Sequence, residues 1–364
     1  MSKIIKLFIF WRLGLLLVSY LGSLAFPLQA NGGLGAPTFT KPFNYWLSWA
    51  QWDGGYYYNI AKRGYLFLSD YAFFPLYPFL IKFLNVIFSN LLLTGLLISN
   101  ISFLLFLIIF YKFLKEKYSK NIAANSVITF LCFPTTFFAV AYYSEGLFLL
   151  LAALVFFFMH RRKILQAAIA IIFASLTRSM GAVLISSLVY NYFSLISFTI
   201  KNISKKILYL IPSTFGILLY LTYLFYKLNN PFGFISAQTL WLRNINDPVS
   251  TIIANIWIIF TNPNAPLDQY MDLLITLIFL SLLILGVKKI SSSLWIFSML
   301  VILIPASTGT LTSMPRYVLA SLGAFVILGQ LLEENPHLKL PLWATSLFLQ
   351  AIFATRFISG YWVA

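Results

Sequence analysis

A succession of long apolar blocks, almost empty of charge, limits what this chain can fold into more than any other feature. The first, residues 7–26, is about 20 residues long, enough to cross a hydrocarbon core of roughly 30 Å as a helix. Others run over 91–111, 122–141, 143–159, 164–176, 182–199, 207–226, 271–287, 294–305, 317–332 and 340–357. Lipid offers no partner to backbone N–H and C=O groups, so such blocks span as helices. The pattern predicts an all-α polytopic membrane protein with about eleven transmembrane helices in a single domain, 1–364. Several blocks are shorter than a full crossing, which is tolerated only where neighbouring protein or a water-filled cavity satisfies their ends. Charged residues are 9% of the chain, against about 25% in soluble domains.

The first block has a competing reading. Lys3 and Lys6 precede an apolar run that ends in small residues, as in a cleavable signal peptide, but Arg12 interrupts the run and favours a retained helix. The lone cysteine, Cys132, lies in an apolar block, which excludes an intrachain disulfide and a cysteine metal site.

The formal charge of +16 does not point to nucleic acid, because the basic residues fall in short clusters between blocks rather than along one face. With the N-terminus cytoplasmic, one side receives Lys3, Lys6, Arg12, Lys112, Lys115, Lys117, Lys120, Arg161, Arg162, Lys163, Lys201, Lys205, Lys206, Lys288, Lys289 and Lys339. That majority of the 25 Lys and Arg residues predicts N-terminus in and C-terminus out. The opposite face then carries two long loops, 27–90 with short interfacial helices and 228–269, together with Glu145, Arg178 and Arg316.

The 27–90 loop contains the most chemically suggestive stretch, WDGGYYYNIAKRGYLFLSDYAFFPLYP, residues 52–78. A chain with nine acidic residues places one of them, Asp53, between Trp52 and two glycines. The plainer alternative is an aromatic loop anchoring helices in the headgroups. Arg178 and Arg316 each sit at an apolar helix boundary, where an arginine either marks a cavity or pairs with a carboxylate that fixes packing. Glu145 either bonds a substrate hydroxyl or pairs with Arg178. Gln238, Trp241 and Arg243 suit sugar hydroxyls, a sugar face and a phosphate, and equally suit an interfacial loop. There is no DxD, HExxH, Walker loop or GxGxxG, and the outer acids are scattered, so no metal and no cofactor are expected. His160 and His337 read as solvated loop residues.

WDGGYYYNIAKRGY followed by FFPLYP resembles the first outer loop of the PIG-V-like mannosyltransferases, membrane glycosyltransferases of the GT-C fold. AYYSEGLF, LTRSMG, PFGFISAQTLWLR, MPRY and GYWVA continue the likeness in family order over nearly the whole chain. The family pattern of Trp-Asp followed by an aromatic or His is met by Trp52, Asp53 and Tyr56 to Tyr58, with no His. The resemblance implies a GT-C-like bundle in the plasma membrane with its active site on the outer face. It implies transfer of a hexose, mannose by family, from a polyprenyl-phosphate-linked donor to a hydroxyl of a lipid-linked or cell-surface glycan. Asp53 is then the general base of an inverting displacement. Arg178, Arg243 and Arg316 would face the phosphate, with Trp52, Tyr57, Glu145, Gln238, Trp241 and Tyr317 as further substrate contacts. A lipid or solute transporter lined by the same residues, or an accessory subunit with a dead site, is the alternative.

Overall fold

The computed structural model describes residues 2–30, 33–199, 203, 205–262 and 264–363, so Lys201 of the basic series lies outside the described residues. Among the described residues the chain is helical without strands, apart from an isolated bridge between Thr38 and Lys41. Five helices are long and apolar enough to cross a membrane: Ser2–Ala25, Leu91–Lys117, Lys205–Leu228, Leu267–Leu285 and Pro336–Ile358. Met314–Ala320 and Leu322–Glu334 form a sixth span bent by 81°. Phe10, Phe348 and Leu285 on these spans are exposed, as lipid-facing positions are, whereas a soluble domain rarely shows so extended an apolar surface. The chain is an integral membrane protein.

The expected eleven spans are not matched by helix length. Six other apolar helices have 10–17 residues: Leu76–Phe88, Glu145–His160, Ile164–Thr177, Met180–Leu195, Pro248–Thr261 and Ser292–Ala306. The block 122–141 shows why. Its helix, Lys120–Cys132, stops because Phe133 precedes Pro134, and the proline ring drives the preceding residue out of the helical region to φ −60, ψ 137. The chain then runs irregularly through a short turn of 3-10 helix, Thr136–Ala139, until Glu145 opens the next helix. This stretch is buried throughout, and its carbonyls are met from other elements. Ser99 Oγ donates to Tyr143 O (2.9 Å), and Asn100 Nδ2 donates to Val140 O (3.1 Å).

The first loop carries short helices, as expected, and the second is more ordered than expected. Residues 27–90 contain the helices Asp53–Arg63 and Leu76–Phe88, the latter with Phe79, Phe83, Val86 and Ile87 exposed. Residues 228–269 contain Pro248–Thr261, started by Asp247, which accepts from Ser250 N at 2.6 Å, with proline at the first position.

The basic clusters gather at one end of the bundle. Arg161 meets Glu116 (2.6 Å), Lys289 meets Glu334 (2.7 Å) and Lys339 meets Glu333 (3.3 Å). Arg12 does not belong with them, contrary to its assignment from sequence. Midway along the first helix and half-buried, it donates from Nε to Asn100 Oδ1 (2.8 Å) and stacks on Trp49, 4.4 Å from the ring centre. An amide oxygen and an indole face take the place of water on part of this guanidinium. The helices Leu91–Lys117, Glu145–His160 and Leu322–Glu334 run from the basic end to an opposite end, where Asp53, Glu145 and Arg316 meet. Between the ends the phenyl rings of Phe103, Phe106, Phe130 and Phe325 fill the core.

Candidate active site

Asp53 owes its place to a locked turn. Trp49 O accepts from Tyr142 N (2.9 Å) and Gln51 O accepts from the Tyr143 hydroxyl (2.9 Å), tying residues 49–51 to the irregular stretch before Glu145. Gly54 follows because a Cβ there would come within 3.1 Å of Tyr142 O. Trp52 takes φ 53, ψ −121, a conformation that side-chain-bearing residues rarely adopt and that costs on the order of 1–3 kcal/mol. Its ring sits edge-on to Trp362, with centroids 5.2 Å apart. Asp53 then opens the helix Asp53–Arg63, where the positive end of the helix dipole favours a carboxylate.

Four charged side chains from four segments converge here. Arg316 Nη1 lies 2.6 Å from Asp53 Oδ2, and its Nε lies 3.4 Å from Glu145 Oε1. Arg178 Nη1 lies 2.5 Å from the same Glu145 oxygen. The Glu145 contacts are ionic rather than well-angled hydrogen bonds, since neither of its oxygens meets hydrogen-bond geometry. Arg316, expected among the phosphate-facing cations, thus has two carboxylate partners, and the pairing of Glu145 with Arg178 is present as well. Rings of Phe138, Tyr143 and Tyr317 surround the Arg316 guanidinium at 5.6–5.8 Å. Asp53 Oδ1 has no hydrogen-bond partner among the described residues. Tyr57 donates to or accepts from Ser144 Oγ at 2.7 Å, and burial pushes its hydroxyl well up, so it stays protonated.

The turn carrying Arg316 is fixed from outside the network. Ser313 has φ 72, and Asp272 Oδ1 accepts from Met314 N (3.2 Å). Arg243 donates to Thr308 Oγ1 (3.1 Å) and Thr312 O (2.8 Å) and lies over Tyr317, with no carboxylate among the described residues in ion-pair range. The site therefore holds three guanidiniums, of Arg178, Arg243 and Arg316, against two carboxylates, and the excess positive charge belongs to Arg243.

Above the network lies a cavity of about 160 Å³. Of the residues expected from sequence, Asp53, Tyr57, Arg178, Gln238, Trp241, Arg243, Arg316 and Tyr317 line it. Asp53 is the only carboxylate on its wall among the described residues. Two expectations sit differently. Glu145 lies beneath the cavity, buried with Arg178 and Arg316, and Trp52 stands behind Trp362 rather than on the wall. Phe73 and Trp241 give the cavity an aromatic wall, backed by Tyr56, which stacks on Phe73 at 4.7 Å. Trp362 and Asp272 were not singled out by sequence reasoning. The GYWVA motif contained the first, and nothing local marked the second as a support for a turn 42 residues away. No group of three or more His, Cys, Asp or Glu side chains gathers among the described residues.

A family model described as Mannosyltransferase (PIG-V) matches residues 1–230, more than half of the chain. The chain belongs to the PIG-V mannosyltransferase family. GPI mannosyltransferase 2 of Schizosaccharomyces pombe is 29% identical over 140 residues, 37% of this chain and 30% of that protein, so the match spans under a third of the relative's length. The Archaeoglobus fulgidus oligosaccharyltransferase, crystallised with a tethered acceptor peptide, overlaps 97% of this chain and 55% of its own at 12% identity and a TM-score of 0.48. The PIG-V match includes Asp53, Glu145 and Arg178, while Gln238, Trp241, Arg243, Arg316 and Trp362 lie beyond it and join the same cavity through the fold.

Proposed function

We propose that this PIG-V family member transfers a hexose, mannose by family, from a polyprenyl-phosphate-linked donor to a hydroxyl of a lipid-linked or cell-surface glycan, with inversion. The observation that carries the reading is one carboxylate, Asp53, facing a cavity whose other charges are guanidiniums. A retaining route needs two carboxyl groups flanking the sugar roughly 5–5.5 Å apart, and Glu145 is buried below the cavity with two arginines. One displacement suits the arrangement. The acceptor oxygen bonds to the anomeric carbon as its proton passes to Asp53 Oδ1, and the anomeric C–O bond breaks with its electron pair leaving on the phosphate.

Arg316 holds Oδ2 and so aims Oδ1 at the acceptor. Arg243, anchored by uncharged groups, and Arg178 stabilise the departing phosphate with planar donors matched to its oxygens. Gln238 and the ring of Trp241 hold the sugar, one by hydrogen bonds and the other by an apolar face. The cavity lies at the end of the bundle away from the lysine and arginine clusters, which supports an active site on the outer face of the plasma membrane. Purified protein given labelled polyprenyl-phosphate mannose and a membrane lipid extract tests this reading. Label should pass to the extract and also, slowly, to water. Absence of both reactions in folded protein would refute it.

A further inference from the structure

The first helix, Ser2–Ala25, and the last, Lys339–Ile358, lie side by side and run in the same direction. Trp11 Nε1 donates to Gln350 Oε1 (2.8 Å), and beyond the helix ends Gln29 N donates to Ser359 O (2.8 Å). On the half nearer Asp53, an open groove of about 780 Å³ separates their flanks, walled by apolar side chains such as Leu21, Phe26, Phe348 and Ile352. One charge lies on that wall, Arg356. Among the described residues no carboxylate comes within ion-pair range of it. It makes a long bond to Trp362 O (3.4 Å) and its guanidinium lies 5.9 Å from the Tyr361 ring centre.

A guanidinium at the edge of lipid without an anion is unfavourable, and a lipid phosphate is an anion that its fork fits and that a bilayer supplies. Tyr361, on the groove wall, adjoins Trp362, which lines the catalytic cavity with Asp53. A single short segment thus borders both spaces. Arg178, Gln238 and Arg243, the groups suited to the donor, belong to other segments and do not touch the groove. Asp53, the carboxylate proposed to meet the acceptor, shares its cavity with Trp362, the chain neighbour of Tyr361 on the groove wall.

We propose that this groove seats the hydrocarbon chain of the acceptor, a membrane lipid whose headgroup carries a phosphate and a hydroxyl. The phosphate rests on Arg356 and the hydroxyl passes Trp362 to reach Asp53. The inference rests on the transferase reading and adds where the acceptor enters and which side chain receives its phosphate.

Phosphatidylglycerol serves as the probe. The whole chain, reconstituted in vesicles of equal phosphatidylglycerol and phosphatidylcholine, is released into the gas phase and its retained lipid weighed by mass spectrometry. One phosphatidylglycerol should stay bound per chain. Retention should fall at least about tenfold on removal of the charge-assisted contact in Arg356→Gln, and similarly in Ala351→Trp, whose indole fills the groove. In the transfer assay both variants should raise the KM for lipid acceptor while hydrolysis of the donor by water continues unchanged. Equal retention of phosphatidylcholine, the mark of ordinary surrounding lipid, or undiminished retention in both variants, would overturn the proposal. Absence of donor hydrolysis in the unaltered chain would count instead against the transferase reading.

Discussion

Replacing Arg316 with lysine separates two roles for that residue. The guanidinium uses two nitrogens on two carboxylates, Nη1 on Asp53 at 2.6 Å and Nε on Glu145 at 3.4 Å. A lysine keeps the charge but offers one nitrogen on a thinner stem, so it can serve one carboxylate and leaves the ring-lined space around Arg316 underfilled. Glu145 retains Arg178, so no buried carboxylate is stripped of all partners, and the full cost of about 3–5 kcal/mol for breaking a buried pair does not apply. Loss of one charged contact, about 1.5–3 kcal/mol, is the expected loss of stability. The larger effect is on chemistry, because Asp53 Oδ1 is aimed by what holds Oδ2. A displacement of about 1 Å in a reacting group costs on the order of a hundredfold. Steady-state transfer by Arg316→Lys should therefore show kcat lowered by about two orders of magnitude with donor KM nearly unchanged. A variant with kcat preserved and donor KM sharply raised would refute the positioning role and make Arg316 a phosphate ligand.

Arg243→Gln should do the reverse of Arg316→Lys: it removes the guanidinium without a carboxylate partner, so donor KM should rise at least about tenfold, one charge-assisted contact, in a titration against polyprenyl-phosphate mannose. Topology is tested by labelling whole cells with an impermeant thiol reagent, in a background with Cys132 replaced by serine. Cysteine at position 69 in place of Ser69 should react and cysteine in place of Ser119 should not, and the opposite pattern would put the cavity on the cytoplasmic side.

Much of the site was legible because its residues are rare types for their surroundings. An aspartate among glycines and aromatics, and arginines at the ends of apolar helices, are costly unless paired, and the structure pairs Arg316 with Asp53 and Arg178 with Glu145. Sequence reasoning left open whether Arg316 meets a phosphate or a carboxylate, since pairing across 263 positions, from Asp53 to Arg316, follows from the packing of whole helices and leaves no local trace. Helix length does not match the expected count of spans, for a nearer reason. Hydropathy counts apolar residues and does not register the break that Pro134 imposes at Phe133, so a buried irregular stretch was read as membrane span. Pro248–Thr261 is the converse case: the position of 228–269 between spans reads as a loop, while Asp247 and Pro248 announce the helix start within it. Arg12 reads from sequence as one more topology signal, and only the approach of Trp49 and Asn100 shows that its guanidinium is held between helices.

The central claim is that Asp53 takes the acceptor proton. Asp53→Asn keeps the size of the side chain and an oxygen for Arg316, but its amide cannot accept a proton. Transfer from labelled polyprenyl-phosphate mannose, measured on protein whose thermal melting and donor binding match the parent, should fall by at least about a hundredfold, the lower end of what general base catalysis contributes. Turnover by that folded variant at close to the parent rate would contradict the account.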